Sequence, residues 1–186
     1  HEDLEGLPPK LGQLTSLQTL TNFVVGTGPD CSSIGELQHL NNLSGSLVLS
    51  QLENVTEAID AKMAHLENKK ELTALSLRWT TTEEEKPNCL KVLEGLEAPY
   101  GLKALRINDY RGTSFPAWMS MLPNMVELHL YDCKKSKNLQ PLWQVPGLQV
   151  LCLKGLEELQ CLCSSDTLFS FPSLKELVLV GMPAFD

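Results

Sequence analysis

One short motif keeps returning in this chain: leucine, two residues, leucine, one residue, leucine. It occurs as Leu72-Thr73-Ala74-Leu75-Ser76-Leu77 and as Leu102-Lys103-Ala104-Leu105-Arg106-Ile107. Three further copies begin at Met125, Leu148 and Leu174. The last leucine-type position falls at 77, 107, 130, 153 and 179, in steps of 30, 23, 23 and 26 residues. A unit of this length cannot bury its own leucines, so each copy must stack on the next. The chain is therefore expected to be a solenoid with no single central core.

The spacing matches an α/β leucine-rich repeat solenoid. Its expected form is a curved horseshoe arc, with a parallel β-sheet on the concave face and loops and short helices on the convex face. About seven irregular coils fit the length. Residues 1–186 are read as one repeat domain, a fragment of a longer array with a cap at neither end. The first coil runs from Leu11 to Leu20 and into Phe23-Val24-Val25, with Asn22 where a leucine is expected. Residues 26–33 form a Gly/Pro/Asp/Ser cluster that reads as a loop. A second coil leads through Leu37, Leu40 and Leu43 to the strand Leu47-Val48-Leu49. Asn54 and Glu57 have the spacing of a helix start. Ile59, Met63 and Leu66 follow at helical spacing, predicting a helix over about 57–68 packed on the outer side. Residues 80–87, with Glu83, Glu84 and Glu85, read as a solvated loop that accounts for the longest repeat. Proline stands shortly before each of the last three strands, where it favours extended geometry in its predecessor.

Charge and composition narrow the function. A net charge of -8 argues against a phosphate-binding surface, so no nucleic-acid partner is expected. No apolar run is long enough to span a membrane, and no signal peptide is visible at His1-Glu2-Asp3. The 6 cysteines are irregularly spaced and read as reduced thiols of a cytosolic protein. Cys161-Leu162-Cys163 could form half a metal site, but no second pair follows at finger-like spacing, so no metal is expected. No phosphate-loop or dinucleotide motif occurs, so no nucleotide cofactor is expected in this segment. The sequons at Asn42 and Asn54 read as chance occurrences.

Chemistry, if any, belongs to the concave face. In each strand the leucine-type residues point inward, and alternation sends their neighbours to the open side. The resulting triplets are Ser46, Val48, Ser50; Ala74, Ser76, Arg78; Ala104, Arg106, Asn108; Glu127, His129, Tyr131; Val150, Cys152, Lys154; and Glu176, Val178, Val180. Stacked strands give this face a width of roughly 25–30 Å, enough for a protein contact. Arg78, Arg106, Asn108, His129 and Tyr131 fall at its centre, and Arg and Tyr are frequent interface anchors. The candidate partner-binding set is these five with Glu127, Cys152, Lys154 and Glu176. His129 with Glu127 and Cys152 does not make a catalytic centre. An open sheet face supplies neither an oxyanion site nor exclusion of water, and no enzyme is expected. Cys133, at a position where such repeats often hold Asn or Cys, reads as buried packing.

Several strings in order resemble one family: residues 7–20 with Phe23-Val24-Val25-Gly26, Ile34-Gly35-Glu36-Leu37, residues 43–47, Leu52-Glu53-Asn54-Val55 and residues 58–66. Leu75-Ser76-Leu77-Arg78-Trp79, Phe115-Pro116-Ala117-Trp118 and Gly181-Met182-Pro183 complete the series. They are similar to the leucine-rich repeat region of plant intracellular nucleotide-binding immune receptors with an N-terminal coiled coil. The resemblance implies a module that recognises a pathogen effector protein and contacts the receptor's own nucleotide-binding domain, contributing to autoinhibition. It implies a cytoplasmic or nuclear protein whose ADP/ATP site lies in an upstream domain. A receptor-kinase ectodomain or a ubiquitin-ligase substrate adaptor are the alternatives. An ectodomain would show an asparagine ladder and cap cysteines, and an adaptor would repeat cysteine at the position of Cys133.

Overall fold

A computed structural model describes residues 5–80, 88–162 and 171–185. Seven parallel strands form one sheet in chain order. They are β1 (Asn22–Val24), β2 (Gly45–Ser50), β3 (Leu72–Arg78), β4 (Ala104–Asn108), β5 (Glu127–Tyr131), β6 (Val150–Lys154) and β7 (Glu176–Val180). Two short helices, α1 (Ala58–Lys62) and α2 (Cys89–Gly95), lie on the return side with single 3₁₀ turns. This is the leucine-rich repeat solenoid that the period requires.

The inward positions of the sheet carry the packing. Leu75, Leu77, Leu105, Ile107, Leu128, Leu130, Leu151 and Leu153 are all buried. Each such side chain contributes about 1.5–3 kcal/mol through burial against the coils on either side. Leu177 and Leu179 of β7 occupy the same inward register but are 42% and 37% exposed, because β7 is an edge of the described sheet.

Two local features place the strands. At the exit of most strands, two residues beyond the last inward side chain, the backbone takes a left-handed turn. Gln51, Asp109, Asp132, Gly155 and Gly181 all have positive φ there. The turn residues continue the sheet's ladder: Asp109, Asp132 and Gly155 donate their N–H to the carbonyls of Tyr131, Lys154 and Val180 at 2.9, 2.7 and 2.9 Å. β1, with Val25 at that place, and β3 are the exceptions. Trp79 holds that place without a positive φ, is buried, and packs its ring 5.3 Å from Tyr110. Tyr110 is itself fully buried, and its hydroxyl donates to the Ser114 carbonyl at 2.9 Å. Gly112 leaves the space that the Tyr110 ring fills.

Three expectations need correction. Asn22 does not replace a leucine. Phe23 pairs in register with Leu49 and is fully buried, while Asn22 faces out opposite Val48. The first two coils carry one more residue before their strands than the later ones, so the motif count slips by one. The register between β2 and β3 shifts at Gly45, whose φ of 73° glycine adopts readily. The helix expected over 57–68 is instead a helix of residues 58–62 and a separate 3₁₀ turn at Leu66–Asn68, divided by left-handed His65. Glu57 stands at its N-cap without a side-chain bond. Its inward face is also different: Ala61, Ala64 and Leu66 are buried, whereas Ile59 and Met63 are 66% and 46% exposed. The cause is the close approach of α1 to α2, where the Cα of Gly95 lies so near Ala61 that even a methyl group there would collide. Small residues make that contact, so the larger ones turn outward. Sequence reading also missed α2, although Cys89, Val92, Leu93 and Leu96 have helical spacing and are all buried.

Candidate partner-binding face

The strand register brings the outward side chains into three rows. The first row is Ser46, Ala74, Ala104, Glu127, Val150 and Glu176. The second is Val48, Ser76, Arg106, His129, Cys152 and Val178, and the third is Arg78, Asn108, Tyr131, Lys154 and Val180. Every member of the sequence-derived candidate set therefore lies on this one face, in the expected strands and order. Parallel pairing without register shift from β3 to β7 is what aligns them.

Tyr131 is the hub of the arrangement. The Arg106 guanidinium carbon lies 5.1 Å from its ring centroid and the Lys154 ammonium 5.2 Å. Cations at that range are attracted by the ring's quadrupole, each by about 0.5–1 kcal/mol at an exposed site. The His129 ring meets Tyr131 edge-on at 5.9 Å, and the Tyr131 hydroxyl lies 3.2 Å from His129 Nδ1. On its other side, His129 Nε2 lies 3.3 Å from Glu127 Oε2. A chain of contacts thus runs from Glu127 through His129 to Tyr131. Partial burial and the neighbouring Cys152 thiol push the Tyr131 hydroxyl's pKa up, and the Arg106 charge opposes them. Tyr131 is therefore a neutral phenol at physiological pH.

The other candidates differ in their availability. Arg78 is exposed, and its Nε lies 3.4 Å from Ser76 Oγ. Lys154 and Glu176 are exposed, and Arg106 is half-buried. Cys152 is on the concave side by register but buried, so its sulfur packs beneath the neighbours. Asn108 is half-buried and its side-chain oxygen has no hydrogen-bond partner among the described residues. Sequence reading left out the floor. Ser46, Ala74, Ser76 and Ala104 line a shallow depression of about 240 Å³ that Arg78, Arg106, Glu127 and His129 border. The available signal was small residues at matching positions of adjacent strands.

Other sequence expectations can be placed as well. Cys133 is fully buried, and burial pushes its thiol up to about 12. Its sulfur lies 3.8 Å from the Ile107 carbonyl of the preceding coil. The side-chain nitrogens of Asn42 and Asn54 donate to the Thr15 and Val25 carbonyls at 2.9 and 2.8 Å. Both sequon amides are thus engaged between coils. Cys31, Cys89, Cys133, Cys152 and Cys161 form no disulfide among the described residues, while Cys163 and the acidic residues of 81–87 lie outside them. Among the described residues no three potential ligands gather around a metal-sized space, and no helix is long and apolar enough to cross a membrane.

The repeat family R13L1/DRL21 LRRs matches residues 34–156, which span α1, α2 and the strands from β2 to β6. The chain belongs to that family. Disease resistance protein RGA2 of Solanum bulbocastanum is 36% identical over 182 residues, covering 89% of this chain and 18% of its own length. RGA1 of the same species carries a provisional disease-resistance name and is 35% identical, over 95% of this chain and 18% of its own length. At3g14460 of Arabidopsis thaliana, named in the same provisional way, is 34% identical over 92% of this chain and 13% of its own length. The chain therefore spans less than a fifth of each of these relatives. In family terms, the concave face is the surface of an R13L1/DRL21-type repeat array found in proteins named for disease resistance.

Proposed function

We propose that this chain is the sensor and interaction module of a plant immune receptor, recognising a pathogen effector protein on its concave face. The repeat surface also contacts the receptor's own nucleotide-binding domain and contributes to autoinhibition. The module is non-catalytic and acts in the cytoplasm or nucleus. It carries no cofactor itself, and ADP or ATP belongs to an upstream domain of the receptor. The observation that supports this reading is the Arg78, Arg106, Tyr131 and Lys154 group on an open face, in a chain whose relatives are disease resistance proteins. Arginine and tyrosine on a rigid surface are typical anchors of protein recognition.

The mechanism is differential binding. An effector that competes for the face can shift the receptor between states only by its difference in affinity for them. The charge reversal Arg78→Glu with Arg106→Glu, placed in a full-length receptor, should alter either the effector response or the resting inhibition in a leaf cell-death assay. Wild-type behaviour of that double variant in both readouts would remove the face from the account.

A further inference from the structure

We infer that the cations around Tyr131 take an extended acidic segment of the partner, with carboxylates on alternate residues. The inference rests on the docking role proposed for this face and adds the chemistry of what docks there. Its starting point is a contrast in pairing. The chain has 23 acidic against 15 basic residues, so cations should find carboxylates readily. On the return side they do: Lys134 pairs with Glu157 at 2.9 Å, and Lys137 approaches Glu158 at 3.8 Å. Arg78, Arg106 and Lys154 have no carboxylate partner among the described residues. Glu127, on the first row of the face, is turned to His129.

The three cations are held without being neutralised. Arg106 and Lys154 sit against the Tyr131 ring, a contact that attracts each cation without neutralising its charge. Two like charges brought to one ring repel each other, and a bound carboxylate would relieve that repulsion. The cations belong to the second and third rows, whereas Glu127 and Glu176 belong to the first. The outward rows are thus divided, with these cations in the second and third rows, the two glutamates in the first, and Asp109 and Asp132 in the turns beyond.

An extended segment fits the spacing of these cations. Arg78 and Lys154 stand three strand steps apart in the third row, a separation of about 14 Å. In an extended chain, side chains on one face recur about every 6.7 Å, so the first, third and fifth residues span about 13 Å. Carboxylates on those residues meet Arg78, Arg106 and Lys154 in turn.

The test uses the chain labelled for NMR and two synthetic peptides, Ser-Glu-Ser-Glu-Ser-Glu-Ser and its glutamine counterpart. The glutamate peptide should shift resonances of Arg78, Arg106, Tyr131 and Lys154 more strongly at low salt than at high salt. Neutralising all three cations to Gln should weaken it roughly ten-fold, in line with three exposed ion pairs. Equal shifts by the two peptides, unchanged binding after neutralisation, or stronger competition from a single-stranded oligonucleotide would overturn the inference. A companion variant, Ser76→Trp, fills the depression without changing charge. Tested in a full-length receptor, loss of response in Ser76→Trp but not in the neutralised variant would keep the docking face and reject the acidic ligand. A Ser76→Trp receptor that responds normally would reject the docking face itself.

Discussion

Lys69 allows the packing to be tested quantitatively. It stands three residues before Leu72, the place that Leu40, Pro99, Leu122, Val145 and Phe171 hold in other coils, all of them buried. The side chain is fully buried as well. Its ammonium donates to the Leu37 carbonyl at 2.6 Å and to Asn41 Oδ1 at 3.1 Å. Burial, opposed by the charge of Glu67, lowers its pKa from 10.5 to about 8. Between those values the unfolded chain keeps a proton that the folded chain has released. Stability therefore rises with pH across that window, by at most roughly 3 kcal/mol at about 1.4 kcal/mol per unit. Cys133 acts in the opposite sense, since burial raises its thiol from 9.0 to about 12 and stability falls as pH climbs through that range. A comparison with Lys69→Met isolates the lysine. That variant keeps the side chain's length, removes the charge, and takes one donor from Asn41 Oδ1 and one of two from the Leu37 carbonyl, which keeps the Leu40 N–H, at a pH-independent cost of about 1–2 kcal/mol. Urea unfolding can be followed by the fluorescence of Trp79, Trp118 and Trp143, which are all buried. From about pH 7.5 to about pH 9.5 the stability gap should widen in favour of the native lysine. Parallel pH profiles for the two proteins would refute the assignment.

Three further substitutions probe how the coils are joined. Gly155→Ala places a methyl group at a φ of 68° and against the Asp132 carboxylate, and should cost about 1–2 kcal/mol in urea unfolding. On α1, Ile59→Glu should change stability by no more than about 0.5 kcal/mol, because the residue is 66% exposed. Ala61→Leu, at the contact with Gly95, should cost about 1–3 kcal/mol through overpacking. The reverse order of those two effects would contradict the α1–α2 packing.

The register of β3 to β7 was legible in the sequence because one rule, leucines in and their neighbours out, repeats without a slip. The concave rows follow from it directly, which is why Arg78, Arg106, Tyr131 and Lys154 could be grouped beforehand. What the motif could not supply was anything set by contact between coils. The extra residue that shifts Phe23 into the core is visible only once Phe23 is paired with Leu49. Ile59 and Met63 have the spacing of a buried stripe, yet the approach of Gly95 to Ala61 reverses which face is covered. Lys69 in an apolar position gains its meaning from Leu37 and Asn41, which belong to the coil before. Likewise, pattern places Arg106 near Tyr131, but only side-chain geometry reveals that both Arg106 and Lys154 reach the same ring.

The most direct measurement for the central claim is site-specific photo-crosslinking in a full-length receptor. A photoreactive residue in place of Arg78 samples the concave face, and one in place of exposed Ile59 samples the opposite side. Crosslinks from position 78 to the receptor's nucleotide-binding domain at rest, replaced by crosslinks to the effector on activation, are the predicted result. Crosslinks from position 59 alone, with none from position 78 in either state, would contradict the concave face as the site of recognition.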